Sequence, residues 1–197
     1  MAKKALFLFL FLTTTVYAQN TGYVDPYGDT ISSVADIDVE YFLDMLEEVF
    51  MEYEYDFENI MGEKLEYDAY SQITTYENNI DFPAQTLSSF INNEYMHELR
   101  AIYGFGSSDT LELSLAKKWY DGLVKIISEG NEAREWGLIK KAETDVAGLP
   151  ERTTFFLYED DYSEFYIEIY YSKWEKSKIE DTGFVSRVRM IFIFPTS

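Results

Sequence analysis

His97 is the chain's only histidine, and there is no cysteine. A Ser-His-Asp triad or two-histidine metal site within one chain must therefore include His97 or is impossible. No Gly-x-Ser-x-Gly elbow accompanies it. On a strand, His97 shares a face with Tyr95, Leu99, Ala101 and Tyr103, which marks it as a core or half-buried residue. Residues 104–109, Gly-Phe-Gly-Ser-Ser-Asp, lead into an expected helix, where backbone N–H groups can hold an anion. They lack the third glycine of a dinucleotide fingerprint and the lysine of a P-loop, and Asp109 would put negative charge where a phosphate should sit. A turn with an N-cap accounts for all six.

Carboxylates are the other chemical resource, and there are 36 of them. Asp25 with Asp29, and Asp36 with Asp38 and Glu40, offer the hard oxygen donors that Ca²⁺ accepts. Neither group has the order of an EF-hand loop, and a helix start explains the second. Glu159, Asp160, Asp161 and Glu164 could bring two carboxyls to glycosidase separation, yet a chain this acidic always offers some such pair. No catalytic residue, metal ligand or cofactor is assigned.

The exposed aromatic residues are more informative. Residues 163–174 alternate, with Phe165, Ile167, Ile169 and Tyr171 on one face and Glu164, Tyr166, Glu168 and Tyr170 on the other. Tyr158, Tyr166, Tyr170 and Trp174 lie on faces that also carry Glu168, Arg187 and Arg189. Amphipathic rings among charges suit contacts with proteins or sugars, so Tyr158, Tyr166, Glu168, Tyr170 and Trp174 are the candidate binding residues. Helices covering that face would instead make the rings a second layer of core.

Elements that could position these residues are legible. Residues 36–53 place Val39, Phe42, Leu43, Leu46, Val49, Phe50 and Tyr53 on one helical face. A second helix spans 110–129, with Asp109 and Glu112 as a capping box and Gly130 as a C-terminal glycine of positive φ. Strands are expected at 153–159, 163–174 and 187–194, the last with Arg187 and Arg189 facing Glu168 across strands. A hairpin is expected from 84–91 and 95–103, the latter with helix as its alternative. Weaker strands cover 65–76 and 136–142. This describes an α+β fold, mainly antiparallel sheet with two amphipathic helices packed on one face. The order suggests two similar α-β-β-β halves, near 36–105 and 108–197.

Composition sets the compartment and excludes partners. Lys3 and Lys4 followed by the apolar run 5–12 and the exit Val16-Tyr17-Ala18 read as a signal peptide of residues 1–18, too short for a transmembrane helix. The expected product is secreted or periplasmic, with a polar, mobile lead-in at 19–35 and one domain at 36–197. Removing two lysines from 16 basic residues leaves 14 against 36 acids, a net charge of -22. Residues 19–99 hold 19 acids and one base, and residues 100–197 hold 17 acids and 13 bases. Such acidity disfavours nucleic acid and anionic membrane surfaces. The expected function is a non-enzymatic binding or interaction protein with a protein or glycan partner. The alternatives are a carboxylate-based glycan hydrolase using the 159–164 turn, and a carrier holding a small apolar ligand between helix and sheet.

Overall fold

A computed structural model describes residues 23–24, 30–31, 33–55, 57–70, 72–92, 96–105, 111–146, 149–159, 162–173 and 186–195. The expected leader, the Asp25 and Asp29 pair, most of the 104–109 turn and Trp174 lie outside them. Within the stretch read as an irregular lead-in, β1 (Tyr23–Val24) pairs antiparallel with β2 (Thr30–Ile31).

Helix α1 (Val39–Glu52) starts where Asp38 Oδ1 accepts the Tyr41 N–H at 3.2 Å, with Glu40 in the first turn at the positive end of the dipole. The cap accounts for Asp38 without a metal. Phe42, Leu43, Leu46 and Val49 are buried, each contributing about 1.5–3 kcal/mol of transfer free energy. The chain tightens into a 3₁₀ turn at Tyr53–Tyr55, and Phe57 takes a left-handed φ of 60°. Buried Glu52 is satisfied there by Asn59 N and Nδ2, at 3.3 and 2.8 Å.

Helix α2 (Leu111–Ala133) buries Ala116, Trp119, Tyr120, Leu123 and Ile127. It runs through Gly130, which was expected to end it. Gly130 has no positive φ and packs inside the helix against Leu43 of α1. A Cβ there would collide with Leu43 Cδ2, so the glycine serves close helix approach. The helix ends at Ala133, and in its last turn the Asn131 side chain bonds both the N–H and the C=O of Leu138, at 2.8 and 3.0 Å.

Eight strands form one antiparallel sheet in the order β3-β4-β5-β6-β10-β9-β8-β7. These are β3 (Met61–Asp68), β4 (Ile73–Asn78), β5 (Leu87–Asn92), β6 (Met96–Phe105), β7 (Ile139–Val146), β8 (Leu149–Glu159), β9 (Tyr162–Lys173) and β10 (Ser186–Pro195). Residues 65–76, expected as one strand, instead belong to the β3–β4 hairpin, with Gln72 at φ 55° in the turn. Met96–Phe105 is strand, not helix. The order helix then four strands therefore occurs twice, where three strands had been expected in the first half. The two four-strand meanders meet in the β6–β10 pair.

Both helices pack on one face, and period-2 alternation decides which side chains meet them. Val188, Met190, Phe192 and Phe194 are fully buried there beside Ile167, Ile169, Leu99 and Tyr103. Phe42 of α1 lies 5.5 Å from Phe82, which stacks on Phe192 at 5.5 Å. Phe50 lies 4.9 Å from Phe165. His97 is half-buried at the edge of this core, against Phe57 at 5.3 Å and Phe90 at 5.9 Å. No described helix is long and apolar enough to cross a membrane.

Candidate binding face of the sheet

Residues one position off the core pattern form the second face, away from the helices. Register aligns them in rows across the strands. The first row runs Ile139, Phe156, Tyr166, Ile193 and Glu98 from β7 through β8, β9 and β10 to β6. The second runs Lys141, Thr154, Glu168, Ile191 and Arg100, and the third Glu143, Arg152, Tyr170, Arg189 and Ile102. A fourth holds Ser172, Arg187 and Gly104.

A groove of about 360 Å³ opens over the β7–β9 end of these rows, lined by Lys141, Glu143, Arg152, Thr154, Phe156, Tyr166 and Glu168. Two of the candidate residues, Tyr166 and Glu168, thus face one groove. Tyr170 lies one row on and is buried. The side chain of Tyr158 and all of Trp174 fall outside the described residues, as do the side chains of the 159–164 turn.

Arg152 organises the polar side of the groove. Its Nη2 donates to Glu143 Oε2 at 2.7 Å and its Nη1 to Glu168 Oε1 at 3.1 Å. Lys141 Nζ reaches the other Glu143 oxygen at 3.0 Å. Hydrogen bonds from Arg152 and then Lys141 hold the Glu143 carboxyl below the usual glutamate range, and the same carboxylate raises the Arg152 guanidinium. Burial raises the Tyr166 phenol, and Glu168 and Glu98 add to the shift by repelling a phenolate. At neutral pH Tyr166 is therefore an uncharged O–H that can donate a hydrogen bond.

The expected pairing of Arg187 and Arg189 with Glu168 is replaced by a different one. Glu168 stands opposite Ile191 and takes Arg152 instead, while Arg189 stands opposite Tyr170 and donates to its hydroxyl at 2.9 Å. Arg187 Nε donates to Ser172 Oγ at 3.2 Å. Arg152 and Lys141 are the site residues that sequence reasoning missed. The alternation of Arg152 with Thr154 and Phe156 was a usable signal, but the strand was expected to start one residue later.

On the helix side, Lys117 Nζ bonds Asp121 and Glu151, both at 3.0 Å, and Tyr120 shares a 2.7 Å hydrogen bond with Thr153. Burial works to lower the Lys117 ammonium, but the bonds to Asp121 and Glu151 outweigh it and hold it above the usual lysine range. Such a lysine is a structural cation and a poor nucleophile. No group of three or more His, Asp or Glu with metal-binding geometry occurs among the described residues. No family model, curated protein or solved structure matches this chain.

Proposed function

We propose that the protein is a secreted or periplasmic, non-enzymatic binding protein that takes a protein or glycan partner on the second face of its sheet. The observation that carries this reading is the directly opposed pair Phe156 and Tyr166, which line one groove with the Arg152–Glu143–Glu168 ladder. Rings supply contact area at little cost in side-chain entropy, and ion-paired charges are already ordered before a partner arrives.

Hydrolysis has less support. The side chains of the 159–164 turn on which that reading rests lie outside those described, and in the groove itself Glu143 is held ionised by two cations, whereas glycan cleavage needs a carboxyl kept protonated as general acid. For a carrier, the relevant space lies between helices and sheet, where Phe42, Phe82, Phe192, Phe165 and Phe194 fill the interface ring against ring.

Glycan and peptide arrays probed with the purified protein and with Tyr166→Ala and Arg152→Glu variants test the reading. Binders lost in both variants, at unchanged circular dichroism, are the expected result. Binding that survives both substitutions would place the partner elsewhere and end the proposal.

A further inference from the structure

The charged groups of the groove over β7–β9 are already matched to one another. Lys141 and Arg152 stand against Glu143 and Glu168, and every one of the four is ion-paired inside the groove. An anionic ligand would have to displace Glu143 or Glu168 from Arg152, and a cationic ligand would have to displace a base from its carboxylate. Exchanging one partly exposed ion pair for another gains little. The groups that remain are uncharged or half used. Among the described residues the Thr154 hydroxyl makes no hydrogen bond, and the Glu168 carboxylate uses Oε1 alone, so Oε2 is an open acceptor.

Register sets these groups beside an aromatic surface. Thr154 is directly opposite Glu168, and in the neighbouring row Phe156 is directly opposite Tyr166. The two rows are about 7 Å apart, two residues along a strand, a spacing that one hexose ring with its hydroxyls spans. The Tyr166 ring is half-buried and makes no ring contact among the described residues. Backbone recognition is closed here. β8 pairs with β7 and β9, and β9 pairs with β8 and β10, so the main-chain groups of the strands that floor the groove are taken up by their neighbours. An extended peptide laid on this face would take its own N–H and C=O groups out of water and meet no main-chain partner. A sugar ring divides its polarity differently. Its C–H bonds present an apolar face, and its hydroxyls, each both donor and acceptor, point outward around the rim.

We propose that the groove binds a neutral sugar ring, stacked through its C–H face on Tyr166, with one hydroxyl donating to Glu168 Oε2 and another bonded to the Thr154 hydroxyl. The inference rests on the reading that this face meets a partner, and narrows that partner from protein or glycan to glycan. Arg152 acts as a positioning residue, because its bond to Oε1 orients Glu168 and leaves Oε2 to the ligand. The volume of about 360 Å³ is at the small end for ligand sites and suits a short saccharide segment.

Saturation-transfer difference NMR gives the test, with the methyl glycosides of glucose, galactose and mannose and with N-acetylglucosamine as probes. Glucuronate and glucosamine serve as their charged counterparts. At least one neutral sugar is expected to show saturable transfer, centred on ring C–H protons, with half-saturation at roughly 1 mM for a ligand of that size and no change on adding salt. Tyr166→Ala should abolish the transfer, and Tyr166→Phe should keep it, because stacking needs the ring alone. Glu168→Gln should weaken binding about fivefold, since a charge-assisted hydrogen bond becomes a neutral one. Silence from every neutral sugar, or transfer that survives Tyr166→Ala, overturns the proposal. So does transfer from glucuronate or glucosamine alone. Peptide-array binders lost in both Tyr166→Ala and Arg152→Glu, with the sugars silent, would remove the sugar site and leave the partner reading standing. Array binders untouched by both substitutions, with the sugars silent, would remove the partner reading as well.

Discussion

Arg152 and Glu168 form a diagonal pair: Arg152 stands directly opposite Tyr170 in the β8–β9 register, yet its Nη1 donates to Glu168, one row away, at 3.1 Å. The diagonal leaves the Tyr170 hydroxyl to accept from Arg189 on the far side. Two arginines on β8 and β10 are thus oriented around one β9 row without competing for the same acceptor.

Replacing Arg152 with Met should lower the melting temperature by ~2–6 °C, the range for a medium-sized domain losing a partly exposed ion network. The acid limb should change as well. Glu143 has its folded-state value depressed below the ordinary 4.5. Its contribution is therefore present above pH 4.5 and is lost as pH falls through the depressed value. In Arg152→Met that loss should be smaller, because the first cause of the depression is gone. Melting temperatures of both proteins from pH 3 to pH 7 check this, and parallel profiles would contradict it.

Arg134 should matter more than an ordinary surface arginine. From the end of α2 it reaches Glu40, Asp44 and Glu47 of α1, each at 2.8 Å, and Trp136 Nε1 also donates to Glu47 at 3.0 Å. These acids recur at positions 40, 44 and 47, so they share one helical face and repel one another without a cation. Arg134→Ala should cost about 1 kcal/mol, a modest figure because the carboxylates remain largely in solvent. Urea unfolding with and without 0.5 M salt measures it. The deficit should shrink in salt, which screens the exposed repulsion.

How much of this was legible in the sequence depends on how far local pattern and tertiary context agreed. Val188, Met190, Phe192 and Phe194 alternate without interruption, and β10 was found within a residue at each end. α1 was found because its apolar spacing and Asp38 cap agree. The β3–β4 turn was missed because residues 69–72 (Ala-Tyr-Ser-Gln) contain neither glycine nor proline, and Gln72 adopts φ 55° without a local sequence signal. β7 was placed early because Trp136 and Leu138 look like strand residues, whereas Trp136 bonds Glu47 of α1 and Leu138 is held by Asn131 in the last turn of α2. Tyr166 and Glu168 were placed on one face by alternation alone. Their arginine was not, because a diagonal partner depends on register, which a single strand does not encode.

Gly130 illustrates the same conflict and can be tested directly. Alanine is preferred over glycine inside a helix by about 1 kcal/mol, so propensity alone forecasts a stabilised Gly130→Ala variant. The added methyl, however, meets Leu43, which is buried and surrounded by core. Overpacking of that kind typically costs about 1–3 kcal/mol. Net destabilisation is expected, and Leu43→Ala should be less harmful in the Gly130→Ala background than alone. A double-mutant cycle with additive effects would show that the two residues do not press on each other.

Tyr120 ties α2 to the sheet through its 2.7 Å bond with the fully buried Thr153 hydroxyl. Tyr120→Phe should cost about 1–2 kcal/mol, since it strands a buried acceptor and donor on Thr153. Alkaline behaviour gives a second readout. Burial, the largest cause in each, raises the phenols of Tyr120, Tyr166 and Tyr171 above the ordinary value of 10. The unfolded chain therefore loses these protons first, so stability is intact below pH 10 and declines as pH rises from 10 through the raised values. Absorbance at 295 nm should show a late group of tyrosines that ionise together with unfolding. In Tyr120→Phe the alkaline decline should be shallower, from a lower starting stability. A variant whose decline is as steep as the parent's would show that Tyr120 does not take part in the linkage.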